Sequence, residues 1–199
     1  MKLIDLITQN RSYRRFYQEQ TISTDNLRAM IEAARLSGSG RNLQPVKYIL
    51  CNTPEVNAQI FETLGWAGYL KEWDGPVEGE RPSAYIIQLL DTTIAASAGI
   101  DHGIFAQSIL LQAVEMGYGG CMIGTFKPDV LRTVLNIPES LTILLVIALG
   151  RPKEEVVVEP VVNGNIKYWR DEHQVHHVPK RALDELIFFQ KPSPSQDSK

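Results

Sequence analysis

Apolar residues recur along the chain in two rhythms, one of period near 3.6 and one of short continuous runs. Leu3, Ile4, Leu6 and Ile7 suit a short helix that ends near Gln9-Asn10. Leu27, Met30, Ile31 and Ala34 follow the polar start Thr24-Asp25 at helical spacing, and the run stops in Ser37-Gly38-Ser39-Gly40, which propagates a helix poorly. Val46 to Cys51 predicts a strand, Asn52-Thr53-Pro54 a turn into a helix around Val56 to Leu64, and Tyr85 to Leu90 a second strand. From Ile94 to Met116 the apolar residues, among them Phe105, Ile109, Leu110 and Val114, cover most of a helix circumference. A helix apolar nearly all round belongs in the middle of a protein or at an oligomer interface. Gly117-Tyr118-Gly119-Gly120 is read as its stop. A short amphipathic helix from Pro128 to Leu135 precedes a buried strand at Leu141 to Leu149, closed by Gly150-Arg151-Pro152. Val156 to Val162 reads as extended, Asn163-Gly164-Asn165 as a turn, and Pro179 to Phe189 as a last helix.

This order is an α+β layer arrangement without clean βαβ alternation, so a Rossmann domain is not supported. With no repeats and no internal linker, the pattern predicts one domain over residues 1–190 and a Pro/Ser-rich, disordered tail over 191–199. The stretch from Gly65 to Pro82 stands apart as long, irregular and aromatic, carrying Trp66, Tyr69 and Trp73. Such loops are functional more often than accidental.

Composition narrows the classes. Of 199 residues 44% are hydrophobic and 22% charged, ordinary for a globular protein and unlike a disordered one. A formal net charge of −3 argues against a general nucleic-acid or anionic-membrane binder, while leaving room for a local basic pocket. No segment reaches the roughly 20 uninterrupted apolar residues of a membrane span, and the N-terminus lacks a secretory h-region and cleavage site. Two cysteines, Cys51 and Cys121, are too few for a disulfide scaffold or an all-Cys zinc site and read as reduced thiols. The expected location is cytoplasmic.

Familiar catalytic signatures are missing from the sequence: there is no Walker A, G-x-S-x-G, H-E-x-x-H or C-x-x-C. His173, His176 and His177 cluster, but their surroundings read as exposed strand or turn, so surface histidines are a better reading than a metal site. Arg11-Ser12-Tyr13-Arg14-Arg15 offers two guanidiniums and a hydroxyl to a phosphate, or simply complements the end of the first helix. Lys180-Arg181 opens the expected last helix, where cations are unfavourable, so a nearby anion or a solvated surface pair are equal readings. Ser39-Gly40-Arg41-Asn42-Leu43-Gln44-Pro45 could hydrogen-bond the edge of a planar heterocycle, or be only a loop.

Taken in order, these segments resemble the FMN-dependent nitroreductase family. Asn10-Arg11-Ser12-Tyr13-Arg14-Arg15-Phe16 resembles the R-R-S-x-R-x-F motif, and Ser37 to Pro45 resembles the A-P-S-x-x-N-x-Q-P-W loop. Gly117 to Phe126 resembles G-L-G-x-C-x-I-G-x-F, and Leu149-Gly150-Arg151-Pro152 the strand-ending G-x-P. Order and spacing agree from about Leu6 to Ile187. Departures are Asn10 for an arginine, Gly38 for a proline and Val46 for a tryptophan.

The resemblance implies a three-layer nitroreductase-like fold, with an antiparallel-rich central sheet flanked by helices, a long central helix and an intertwined homodimer with FMN at the interface. It implies that Arg11, Ser12 and Arg14 face the FMN phosphate, ribityl chain and N1/C2=O edge, with Lys180 and Arg181 completing the phosphate site. Ser37, Gly38, Ser39, Asn42 and Gln44 belong to the second cofactor-binding loop, largely given from the partner subunit, and Met122, Ile123 and Gly124 cover the ring near N5. NADH or NADPH would be the electron donor, and a nitroaromatic, quinone or similar small molecule the acceptor, in ping-pong order. Trp66, Tyr69 and Trp73 either shape the acceptor pocket or pack on the dimer partner. Related flavin chemistry (reductive dehalogenation or flavin fragmentation) and a non-catalytic flavin- or nucleotide-binding protein are the alternatives.

Overall fold

In the computed structural model, which describes residues 2–188, the main sheet has four antiparallel strands. These are β1 (Val46–Cys51), β2 (Ala84–Asp91), β3 (Gly119–Ile123) and β4 (Leu141–Gly150), in the order β1-β2-β4-β3. β2 is buried over its whole length because helices cover both faces. Its period-2 alternation sends Ala84, Ile86 and Leu90 to one face and Tyr85, Ile87 and Leu89 to the other. The first face packs on α2 (Thr24–Arg35) through Leu27, Met30 and Ala34, and on α4 (Asp101–Glu115) through Phe105, Ala106, Ile109, Leu110 and Ala113. The second packs on α3 (Pro54–Phe61) through Ile60 and on α5 (Pro128–Val134) through Leu131. The result is a three-layer α+β arrangement with α4 the longest helix, as expected. Each fully buried Ile or Leu contributes about 1.5–3 kcal/mol, so this double core carries most of the burial energy.

Several elements differ from the expectation. α2 is capped by Ser23, whose hydroxyl accepts from the Asn26 N–H at 3.2 Å, rather than by Thr24 or Asp25. α3 starts two residues earlier than read, at Pro54, and ends at Phe61. α4 starts at Asp101, not Ile94, because Gly99 at φ +53 breaks the preceding backbone. Gly117, at φ +80, does end it, but Gly119 and Gly120 belong to strand β3. A Cβ at Gly119 would lie 2.5 Å from the Tyr13 ring, and one at Gly120 would lie 2.5 Å from the Ala148 carbonyl oxygen. These glycines permit close strand approach instead of terminating a helix.

The described residues divide into two compact units, the first ending at Glu155 and the second starting at Val156. The second holds β5 (Val156–Pro160), β6 (Trp169–Arg170) and β7 (His176–Lys180) in the order β5-β7-β6, followed by α6 (Leu183–Leu186). The expected Pro179–Phe189 helix is therefore reduced to four residues, and Pro179 lies in a strand. β6 pairs only with His176 and His177, so the stretch of β7 holding Pro179 pairs on the β5 side alone, where a missing N–H is tolerated. The expected tail, 191–199, lies outside the described residues. Cys51 and Cys121 are both buried free thiols, as expected.

Candidate functional site

The Arg11–Arg15 segment runs beside the edge strand β3. Ser12 bridges Gly120 in parallel register, and the Tyr13 N–H donates to the Gly120 carbonyl at 3.0 Å. Two carboxylates hold the segment from behind. Glu154 is buried and its Oε1 accepts the backbone N–H groups of Arg14 and Arg15. Glu80 takes the Arg15 guanidinium in a bidentate pair, with Arg15 Nη2 at 2.8 Å, and Lys153 Nζ at 3.0 Å. The Arg15 hydrogen bond, reinforced by Lys153, holds the Glu80 carboxyl at about 2, well below its usual range.

Within this clamp the two candidate cations differ. Arg14 is buried and its Nη1 donates to the Ser12 carbonyl at 3.1 Å. Arg11 is half-buried; its Nη2 donates to the Ile7 carbonyl at 2.7 Å, and its Nε is shielded from water with no hydrogen-bond partner among the described residues. Burial raises the Cys121 thiol, against the pull of the Arg14 charge and of the Ser12 hydrogen bond, which places Arg14 and Ser12 beside β3. On the same strand Met122 is exposed and Ile123 buried, with exposed Gly124 just beyond.

The 37–44 loop is fastened to α4. Ser37 Oγ shares a hydrogen bond with Ser108 Oγ at 2.7 Å, and Ser39 Oγ donates to Asp101 Oδ2 at 2.6 Å. The Gly40 N–H donates to Asp101 Oδ1 at 3.0 Å, and the Gln44 N–H donates to Ser39 Oγ at 2.9 Å. Arg41, Asn42 and Gln44 all have φ between 50 and 56, a left-handed conformation costing about 1–2 kcal/mol for each such residue. Asn42 and Gln44 are exposed, and the space around Gly38 is open. Asn10 reaches the same helix, its Nδ2 lying 3.4 Å from Gln107 Oε1. α4 thus ties the two loop segments to one rigid element.

The aromatic stretch is a packed cluster. Trp66 lies 5.6 Å from Phe61 and 6.5 Å from Trp73 between ring centroids, the latter edge-on. Gly75 lets the chain pass over Trp66, since a Cβ there would approach the indole to 2.7 Å. Tyr69, 48% exposed, is the outward ring of the three candidates.

In the second unit, Lys180 ends β7 and its carbonyl accepts the Val161 N–H at 3.0 Å, while Arg181 pairs with Glu185 at 3.6 Å. Lys180-Arg181 does not open a real helix N-terminus, so the dipole argument for an anion there lapses. The surface-histidine reading holds only for His173: His176 is buried, and His177 stacks on Trp169 at 4.1 Å between Glu159 and Asp171. Among the described residues no cluster of three or more His, Cys, Asp or Glu could hold a metal.

The nitroreductase family profile matches residues 7–75 and 80–151, most of the chain. The chain belongs to the nitroreductase family. A curated relative, the NADPH-flavin oxidoreductase of Vibrio harveyi, is 23% identical over 86% of this chain and 74% of its own length. A putative NADH dehydrogenase/NAD(P)H nitroreductase of Archaeoglobus fulgidus is 26% identical over 76% of this chain and 86% of its own. The chain spans 65% of the NADPH-dependent oxidoreductase of Staphylococcus epidermidis, at 25% identity over 76% of this chain. Among solved structures, a nitroreductase family protein from Streptococcus pneumoniae superposes with a TM-score of 0.69 at 18% identity, covering 95% of this chain and 100% of that one. That likeness establishes the fold.

All four family-like segments lie in the first unit, and the donors of the 10–16 and 37–45 segments, beside β3 and α4, suit an anionic, hydrogen-bonding cofactor. The unpartnered, shielded Arg11 Nε and the exposed Ser12 fit the polar side chain of FMN. Sequence reasoning missed Asp101, Ser108, Glu80 and Glu154, which hold the loops. Asp101 was legible only as the acid interrupting an otherwise apolar helix; the other three carried no local pattern. No described helix is long and apolar enough to cross a membrane.

Proposed function

We propose that this nitroreductase-family protein is an FMN-dependent oxidoreductase that carries reducing equivalents from NADH or NADPH to a nitroaromatic, a quinone or a similar small oxidised acceptor. The observation that carries the reading is the Arg11 guanidinium, fixed at one end by Ile7 and left with a shielded, unpartnered Nε beside β3. A buried donor without a partner is costly, and a phosphate or other anion relieves that cost. The chemistry that FMN supplies when bound is reversible two-electron exchange at N5. Arg11 and Ser12 bind and orient the cofactor's polar side chain, and Arg14, held by Ser12 and near Cys121, adds positive charge behind the segment. Met122, Ile123 and Gly124 form the wall along β3, and Ser37, Gly38, Ser39, Asn42 and Gln44 form the second binding loop, held in shape by Asp101 and Ser108. Donor and acceptor take turns at one face in ping-pong order, with Tyr69 the exposed ring available to an acceptor.

The proposed assembly is a homodimer in which the second loop serves the partner's cofactor. It is supported by α1 (Leu3–Gln9), which buries none of its residues and leaves Leu3 and Ile4 more than 60% exposed, and by Ile100, 76% exposed ahead of α4. The decisive experiment is the visible spectrum of the purified protein before and after denaturation, followed by FMN titration of Arg11→Ala. The expected results are a released chromophore identified as FMN and a dissociation constant raised about 10–100-fold, the equivalent of one charge-assisted contact. A protein that stays colourless after incubation with FMN overturns the reading, and intersecting double-reciprocal lines overturn the ping-pong order.

A further inference from the structure

The first unit contains a cavity of about 540 Å³ that shares no residue with the segments assigned to the flavin. It opens between α3, the 18–21 segment and the 78–85 segment. Its apolar wall is Pro54, Ala58, Phe61 and Pro82. The polar side of the wall is unusual. Asn57 Oδ1, Arg81 Nε, Ser83 Oγ and Tyr85 OH are all shielded polar atoms with no hydrogen-bond partner among the described residues, and all four belong to residues that line this cavity. Ser83 is 5%, Asn57 8% and Tyr85 0% exposed, so bulk water does not satisfy them. One such atom is an isolated cost; four around one cavity are a set of unmet contacts.

Their chemistry defines what would meet them. Asn57 Nδ2 donates to the Ser83 carbonyl at 2.8 Å, which fixes the carboxamide and leaves Oδ1 as an acceptor in need of a donor. Arg81 Nε is a donor in need of an acceptor, and the Tyr85 and Ser83 hydroxyls can each donate to that same acceptor. Arg81 is a neighbour of the Tyr85 hydroxyl, which burial keeps protonated while the Arg81 charge pulls the other way. The Arg81 guanidinium is itself positioned, lying 4.1 Å over the Phe61 ring and 3.3 Å from Glu78. Because Glu78 already neutralises Arg81, and Glu19 adds a second carboxylate to the wall, an anionic ligand gains no net attraction here. A carboxylate ligand would also bring nothing for Asn57 Oδ1. A carboxamide brings an acceptor and a donor on one edge.

We infer that this cavity is a second small-molecule site, separate from the flavin, that takes a neutral aromatic carboxamide or lactam: its amide edge between Asn57 and the Arg81–Ser83–Tyr85 donors, its ring against the Pro54–Ala58–Phe61–Pro82 wall. The volume falls within the range of ligand pockets, about 300–1,000 Å³, and accommodates a bicyclic ring. The inference does not rest on the flavin reading, and failure of that reading leaves it standing.

The test is a titration of the ¹⁵N-labelled full chain, run both without and with excess FMN, by quinoline-6-carboxamide and by quinoline-6-carboxylate. Saturable shifts are expected for the amides of Asn57, Phe61, Arg81, Ser83 and Tyr85, with the carboxamide at least about tenfold tighter than the carboxylate. Tyr85→Phe and Ser83→Ala each remove a hydroxyl that has no hydrogen-bond partner among the described residues. Each is expected to fold with an unchanged or higher Tm and to bind the carboxamide about fivefold or more weakly. No saturable shift at these amides overturns the site. Equal affinity in wild type and both variants overturns the assignment of the donors, and a carboxylate that binds as tightly as the carboxamide overturns the neutral class.

Discussion

Asp101 lets the geometry of the second loop be cut at one point. Its carboxylate is buried, 5% exposed, at the first residue of α4, and it holds the Ser39 hydroxyl at 2.6 Å and the Gly40 N–H at 3.0 Å. Hydrogen bonds to a charged group contribute about 1.5–3 kcal/mol each, so the pair has a ceiling of about 3–6 kcal/mol. Ser39 is half-buried and Gly40 exposed, so water replaces part of what Asp101→Ala removes, and the net loss falls to about 2–3 kcal/mol. A negative charge at a helix start adds about 0.3–1 kcal/mol to that figure. For a chain of this size the sum corresponds to a Tm lowered by about 5–15 °C, read by calorimetry on flavin-free protein. The functional consequence follows from the backbone. Arg41, Asn42 and Gln44 are held in left-handed conformations whose combined cost is about 3 kcal/mol or more. Once the anchor is gone the loop relaxes toward ordinary φ, and Asn42 and Gln44 leave their positions. FMN affinity, measured by quenching of flavin fluorescence, is expected to fall about tenfold or more. Asp101→Asn keeps the shape and one acceptor, so its losses should be about half as large in free energy. A Tm within about 1 °C of wild type, together with unchanged FMN affinity in Asp101→Ala, would refute the reasoning.

Two further perturbations test the frame around the Arg11–Arg15 segment. The Glu80 carboxyl sits at about 2, below its unfolded value of 4.5, so its contribution is fully present above about pH 4.5 and is lost as pH falls toward 2. Its partners are partly exposed, so that contribution is about 1–2 kcal/mol, and Tm measured from pH 6 down to 3 should fall more steeply in wild type than in Glu80→Gln; superimposable profiles would sink the assignment. Gly120→Ala places a methyl 2.5 Å from the Ala148 carbonyl oxygen, so β3 must separate from β4. The expected cost is about 2–3 kcal/mol, read as a lower urea midpoint, and an unshifted midpoint would show that the strands have room.

The legible part of the fold was the part set by burial periodicity. α2, β1, β2, α5 and β4 each bury a face or a whole run that local spacing reveals, and their bounds come close to expectation. β3 was illegible because two of its five residues are glycines, which carry no apolar signal. They are there because Tyr13 and the Ala148 carbonyl occupy the space of a side chain, a tertiary fact no window of sequence contains. β7 was hidden by Pro179, which reads locally as a helix start but lies where one side of the strand is unpaired. Among the candidate site residues, Arg11, Ser12, Ser37 and Ser39 were suggested by motif resemblance, and the structure gives each a backbone or side-chain partner. Their supports were not visible, since Asp101 stands 62 residues from Ser39 and Glu154 stands 140 from Arg14.

That separation bears on what makes the site. The two loop segments are ordered by partners distant in sequence: the 37–44 loop by buried Asp101 and half-buried Ser108, the Arg11–Arg15 segment by half-buried Glu80, buried Glu154 and the Gly120 carbonyl. Asp101 and Ser108 ride on α4, whose Phe105, Ala106, Ile109 and Leu110 are locked into the core between them and beyond. Loop geometry therefore inherits the rigidity of the core instead of depending on the loops' own preferences, which for three left-handed residues are unfavourable. The family match ends at residue 151, within the first unit, whereas Lys180 and Arg181 belong to the second. Of the cations assigned to the phosphate, Arg11 is the one with both a fixed guanidinium and an unmet donor, so the cofactor reading stands or falls on it first.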